Sequence, residues 1–361
     1  MLQGLTWDHP RGYLPLDAIA DSFADPAVTW DRQSLDGFES APVADLARRY
    51  DLLVIDHPGV ADAVEAEALY PLDELLGADE LAAICAASVG ESGTSYAFRG
   101  RTWAVPIDAA AQVCAYRADL LSGMVPGTWS EIVALSTDIP VSLCLGGPHA
   151  LLALLALIAA QGVRPWPFSD AAVDAALSAW PILLTLTANA PDRTLLSADP
   201  IQVLEAMSTS DRVALCPLVY GYVTYAGDRA RPLTFVDAPR WSVGSPIIGS
   251  VLGGTGLAVS ATCSALDDVR RYLRLITSDE AQEQLIPQGG GQPASRAAWR
   301  RGSAFFSRTR ETVEQAWVRP RRLGWVAAQA AASEAIQSGL LCEQPANVVV
   351  GTVHSIMRSV A

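Results

Sequence analysis

Two of the four histidines in this 361-residue chain close apolar runs in the same way. Asp8-His9-Pro10 follows LQGLTW, and Asp56-His57-Pro58 follows YDLLVI. Proline has no backbone N–H with which to continue a ladder, so each run reads as a buried strand that stops at His-Pro. In an open α/β sheet ligands sit beyond the carboxyl ends of the strands. Two imidazoles placed there could hold an anionic group or move a proton near neutral pH. On that reading His9 and His57 serve as acid and base, with Asp108 or Asp56 orienting one of them. Asp8 and Asp56 alternate to the other face unless a bend at the proline brings them round. A second reading has the same His and Asp side chains capping neighbouring helices and fixing loops.

Other residues join these candidates. Trp7 and Tyr13 flank His9 and could wall a site. His149 follows Leu145-Gly146-Gly147-Pro148 and opens a helix, whose free N–H groups suit an anion or need only a cap. Tyr220, Tyr222 and Tyr225 lie in VYGYVTYA, and flat rings bind apolar ligand faces. As a set they describe a mostly apolar pocket with a few convergent polar groups. His9, His57 and an Asp could supply three metal ligands, but no H-x-x-x-H helix supports them and no metal is expected. Gly253-Gly254-Thr255-Gly256 sits inside a late strand-like run and is not a dinucleotide fingerprint. No Gly-x-Ser-x-Gly elbow is present to support a hydrolase nucleophile.

The elements that must position these groups alternate early in the chain. LQGLTW, AVTWDRQSL and YDLLVID read as strands, with helical spacing from Leu14 to Phe23 and from Pro42 to Tyr50, and a turn at Asp36-Gly37. That order implies a parallel, doubly wound sheet. GRTWAVPIDAAAQVCAYRADLL reads as a hairpin-like pair bent at Pro106-Ile107-Asp108 and leading into a helix. Thr128 and Glu131 form a capping box for a helix in TWSEIVALS. PVSLCLGG reads as a strand, and helices follow at His149–Gln161, Asp170–Asn189 and Asp199–Ser208. RVALCPLVYGYVTYA is a strand broken at Pro217, and GSVLGGTGLAVS is another. Ala265–Leu285 and the tail from Arg319 to Val360 read as helical.

Composition narrows the function. A formal net charge of −14 disfavours nucleic acid or an anionic membrane as partner. All 25 basic residues are arginine, which excludes Schiff-base, pyridoxal-phosphate and P-loop lysines. The six cysteines lack CxxC spacing and read as buried small hydrophobes. The longest apolar run, Ala150 to Ala160, is too short to span a bilayer, so no membrane insertion is expected. At 50% hydrophobic content the chain can bury a large core, split over two lobes.

Several segments in register resemble bacterial extracellular solute-binding proteins of the sugar-binding, maltose-binding-like group. YDLLVID is similar to that family's DVVVID strand, and YPLDELL to its PLDDL segment. GRTWAVPIDAAAQVCAYRADLL resembles its crossover segment, with Tyr116 and Asp119 in the matching positions. VPGTWSEIVALS and GGTGLAVSATCSALDDVRRYLRLITSDEAQ are similar to two further blocks. The resemblance implies a two-lobed periplasmic-binding-protein-like fold of type II, each lobe a doubly wound α/β sheet, joined by crossover hinge strands. It implies lobes of residues 1–108 plus 245–298 and 109–244 plus 299–361, with the ligand cleft between them. Asp108 then lies at the hinge crossing, where the family supplies a polar contact or a turn. The VYGYVTYA rings and Trp325 fall on segments that present aromatics to the cleft. Taken with the residues read directly, the ligand-contacting set expected is Trp7, Asp8, His9, Tyr13, Asp56, His57, Asp108, His149, Tyr220, Tyr222 and Trp325.

The function implied is binding of a small organic solute, without cofactor, by a monomer that hands it to the permease of an ABC-type transporter or to a sensor. The alternative is a cytosolic, cofactor-independent lyase, isomerase or cyclase on the same scaffold, with His9, His57 and Asp108 catalytic. The chain opens on a strand with no leader, which reads as cytoplasmic, or as periplasmic or extracellular if a leader was removed.

Overall fold

The computed structural model describes residues 1–121, 123–227 and 229–360. Leu2–Trp7 (β1) pairs in parallel with Val28–Gln33 (β2) and with Leu52–Ile55 (β3). Alternate residues of β1 and β3 enter different apolar clusters. Leu2, Leu52 and Val54 join Leu16, Leu257 and Leu273, whereas Leu5, Leu53 and Ile55 join Ala47, Val60 and Tyr96. This is the period of a strand covered on both faces, and it explains why LLVI is apolar throughout.

Ala97–Phe98 (β4) and Arg101–Thr102 (β5) form a small hairpin. Ala104–Tyr116 (β6), Leu215–Tyr220 (β7), Thr234–Val236 (β8) and Leu252–Val259 (β9) complete the strands. The main sheet runs β2-β1-β3-β9-β6-β7, with β8 also paired to β6. From Ala104 to Ala111, β6 lies antiparallel to β9; from Gln112 to Tyr116 it pairs with β7 and β8. One strand therefore leaves the first lobe's sheet and enters the second's. A third apolar cluster gathers around the helix His149–Ala160 and includes Trp180, Leu215, Val251, Trp325 and Val350. That helix is buried almost all round, as expected for a core helix. The helix Asp170–Ala188 has the length and mean hydropathy, 1.5, to cross a membrane, yet it contributes Trp180, Leu183 and Leu186 to this core.

Several local expectations are corrected. The residues read as a turn at Asp36-Gly37 lie in a helix, Leu35–Ser40, whose N-cap Ser34 accepts from the Gly37 N–H. The helix expected over Pro42–Tyr50 shrinks to Val43–Leu46. The bend at Pro106-Asp108 does not form: β6 runs straight through, and a register shift between Pro106 and Asp108 accommodates the missing N–H. Pro217 likewise does not break β7, because it falls where pairing with β6 skips between Val113 and Ala115. PVSLCLGG reaches the sheet only through a single bridge, Val141 to Leu215.

At Gly254 the backbone has φ +99°, and a Cβ there would lie 2.4 Å from the Asp108 carbonyl oxygen. Neither backbone can yield. Gly254→Ala should lower stability by about 2 kcal/mol or more in chemical denaturation. Gly351→Ala, on an open helix face, should leave it unchanged or raised. Equal midpoints for Gly254→Ala and the parent chain would contradict this account of the hinge.

Candidate ligand-binding cleft

Where β6 and β9 cross between the lobes, the main chain of Ala110, Gly253 and Gly254 forms the floor of a pocket with about 520 Å³ of empty space, partly open to solvent. Small residues let the backbone itself serve as floor. The first lobe contributes Trp7 from the end of β1, Arg11 from the helix Pro10–Ser22, Phe38 and Glu39 from Leu35–Ser40, and Asp56 just past β3. The second lobe contributes His149, Tyr220 at the end of β7, Tyr222 and Gln329. The rings pack on one another, and the Trp7–Tyr222 pair spans the gap. Trp7 stacks on Tyr222 at 6.4 Å and meets Phe38 edge-on at 4.9 Å, and His149 meets Tyr220 at 5.7 Å.

Two buried guanidiniums anchor the pocket. Arg319 Nη2 donates to Asp56 Oδ2 at 2.7 Å and Oδ1 at 2.9 Å, and Nη1 to Gln329 Oε1 at 3.3 Å. Burial alone would raise the Asp56 carboxyl; the Arg319 charge and the contact with His57 reverse this and hold it at about 2. Arg11 grips both carboxylate oxygens of Asp108, through Nε at 3.0 Å and through Nη2. Its Nη1 donates to the Gly221 carbonyl at 3.0 Å, reaching the second lobe, and its plane lies 4.7 Å from the Tyr222 ring. Burial pushes the Asp108 carboxyl up against the pull of Arg11.

Other polar atoms of the lining residues have no such partner. His149 Nε2, Tyr220 Oη and Arg319 Nε are buried and unpaired among the described residues, as is Trp7 Nε1, which lies against Gly12. His149 Nε2 lies 3.4 Å from Glu39 Oε1, across the cleft, without hydrogen-bond geometry. Burial pushes the Tyr220 phenol up, so it stays protonated and able to donate. Buried polar groups in folded proteins are nearly always paired. A ring of buried donors around aromatic faces is therefore suited to a ligand that brings hydrogen-bond acceptors and flat apolar faces.

The residues singled out in the sequence divide. Trp7, Asp56, His149, Tyr220 and Tyr222 line the pocket. The facing pair of imidazoles expected of His9 and His57 does not form there, and neither ring lines the pocket. His9 is the N-cap of Pro10–Ser22, its Nδ1 accepting from the Arg11 N–H at 3.1 Å, with its ring packed on Tyr222 and Tyr225. His57 is fully buried, edge-on to Tyr96, with Nδ1 3.2 Å from Asp56 Oδ1 but no hydrogen bond from either nitrogen. The local capping reading therefore prevails over the acid–base pair. Asp8 is exposed, and Tyr13 is half-buried beneath the Arg32 guanidinium at 3.5 Å. Asp108 is held by Arg11 and borders an adjoining cavity of the first lobe. Trp325 lies in the core against Trp166, its indole donating to Gln329 Oε1 at 3.2 Å. Among the described residues, no cluster of three or more His, Cys, Asp or Glu could hold a metal ion. Arg11, Phe38, Glu39, Arg319 and Gln329 escaped the sequence reading.

Both strand-end imidazoles titrate far below their ordinary value. Burial, then the Arg319 charge, brings His57 from 6.5 to about 4, and burial with Arg11 and Arg229 does the same for His9. Between those values an unfolded imidazole holds a proton that the folded one refuses. Stability should therefore fall as pH falls from 6.5 to about 4, on the order of 3 kcal/mol per imidazole. The Asp56 carboxylate contributes stability that is lost lower, as pH falls from 3.8 to about 2. Urea denaturation at about pH 7 and about pH 4.5 tests this, and His57→Asn should flatten the difference. Equal stability at the two pH values in the parent chain would contradict it.

The family model for bacterial extracellular solute-binding proteins matches residues 38–298. No curated protein sequence matches the chain. The GacH receptor of Streptomyces glaucescens, solved unliganded and with acarbose, superposes with a TM-score of 0.81 at 18% identity, over 99% of this chain and 97% of that one. Maltose-bound MalE3 of T. maritima gives 0.78 at 14% identity, over 100% and 99%. An ABC transporter solute-binding protein of Agrobacterium vitis with bound D-mannitol gives 0.77 at 16% identity, over 99% and 97%. At such identities the likeness is one of fold, and the fold is the two-lobed one with the cleft described above. The family match spans well over half of the sequence, and this chain belongs to the bacterial extracellular solute-binding proteins.

Proposed function

We propose that the pocket binds a neutral, polyhydroxylated solute of the sugar or sugar-alcohol class. The observation that carries this reading is the set of buried, unpaired polar atoms on His149, Tyr220 and Arg319 beside the aromatic rings of Trp7 and Tyr222. Hydroxyl groups accept from such donors, and the C–H faces of a sugar ring lie against such rings. The charges disfavour an anion, and Glu39 adds a further carboxylate to the lining. Arg11 and Arg319 are already matched by Asp108 and Asp56, so an anionic ligand would have to compete with a buried carboxylate. Acarbose, maltose and D-mannitol, bound by the structural neighbours, belong to the same chemical class.

In this reading the lobes comprise residues 1–108 with 245–298 and residues 109–244 with 299–361, and they close by flexing at β6 and β9. The protein works as a monomer outside the cytoplasmic membrane and passes its solute to the permease of an ABC-type transporter. The acid–base alternative is not favoured, because His9 caps a helix and neither imidazole lines the pocket.

Calorimetric titration against a panel of sugars, sugar alcohols and organic acids tests the reading. At least one neutral sugar or polyol should bind with a Kd of roughly 1–100 μM. Tyr220→Phe should weaken it about tenfold by removing one buried donor. Binding confined to organic acids, or an affinity indifferent to Tyr220→Phe, would contradict it.

A further inference from the structure

We infer that the solute carries an apolar group beside its polyhydroxylated part, and that a second chamber of the cleft receives that group. The inference rests on the sugar- or polyol-binding reading above. The chamber adjoins the pocket and holds about 1180 Å³ of empty space, partly open to solvent. Phe38, Glu39, Asp56, Arg319 and Gln329 line both spaces, so the two adjoin at a mostly polar neck.

Beyond the neck the lining changes character. Val43 and Leu46 from the helix Val43–Leu46, Ile55 at the end of β3, and Val326 and Ala330 from the helix Trp325–Leu341 line it. Val43, Leu46 and Val326 are only partly buried, so aliphatic surface meets water there. The carboxylate of Asp62, also on this wall, is already engaged by the Gly324 N–H at 2.9 Å. Donors and rings on one side of the neck and aliphatic surface on the other describe an amphipathic ligand. A hydroxylated head would fill the pocket, and an alkyl or aryl substituent, as in a glycoside with an apolar aglycone, would cover the aliphatic wall.

Matched methyl and n-hexyl glycosides of glucose, galactose, mannose and maltose, titrated by calorimetry alongside the free sugars, test the inference. For a sugar that binds, the hexyl glycoside should bind at least about tenfold more tightly than the methyl one. Ala330→Phe, placed on an exposed helix face and directed at the chamber, should abolish that gain and leave the methyl glycoside within about twofold. Equal affinities for methyl and hexyl glycosides overturn the inference, as does a hexyl gain that survives Ala330→Phe. If free sugars bind and no glycoside does, the inference alone falls. If neither class binds, the reading on which it rests falls with it.

Discussion

Two guanidinium groups lie out of water at the base of the cleft, and each has to keep its carboxylate. Removing an ion from water costs several kcal/mol, recovered only with a well-aligned partner and further hydrogen bonds. Arg319 meets this condition with Asp56 and Gln329, and Arg11 meets it with Asp108 and the Gly221 carbonyl. These bonds join the end of β3, the first helix, the crossover strand β6 and the segment after β7. The pairs thus fix where the walls of the pocket stand relative to its floor. They also neutralise the site, which restricts what it can hold.

The floor and walls divide the remaining work. Ala110, Gly253 and Gly254 bring bare backbone up to the pocket because no side chain intervenes, and Gly254 tolerates its positive φ only as glycine. Trp7 and Tyr222 supply ring faces from opposite lobes, and His149 and Tyr220 supply polar edges. Such a site presents unpaired polar edges to hydrogen-bonding groups and ring surfaces to flat apolar ones.

Much of this architecture was legible from local sequence. The strands LQGLTW, YDLLVI and GSVLGGTGLAVS declare themselves by high apolar content, unbroken in LLVI, and the Thr128–Glu131 capping box forms as its spacing requires. Pro106 and Pro217 misled because a proline can hide at a register shift, which depends on the partner strand and not on its own neighbours. Trp7, Asp56, His149, Tyr220 and Tyr222 were visible because strand ends and helix starts point at clefts. Arg11 and Arg319 were not. Every basic residue of the chain is arginine, and their carboxylates lie 97 and 263 positions away, so no spacing marks them. The matched Asp-His-Pro segments are real as strand stops. His9 satisfies a helix N-terminus, and His57 is sealed beside Asp56; both imidazoles are turned from the cavity.

The most direct test is a crystal structure of the protein with the sugar or polyol that binds it most tightly in titration. The account predicts that ligand in this pocket beside the Trp7 and Tyr222 rings, with hydroxyl oxygens within hydrogen-bond distance of Tyr220 Oη, His149 Nε2 or Arg319 Nε, and with the Asp56–Arg319 pair intact. A ligand seated elsewhere, or one bound with those donors still unpaired, would contradict it.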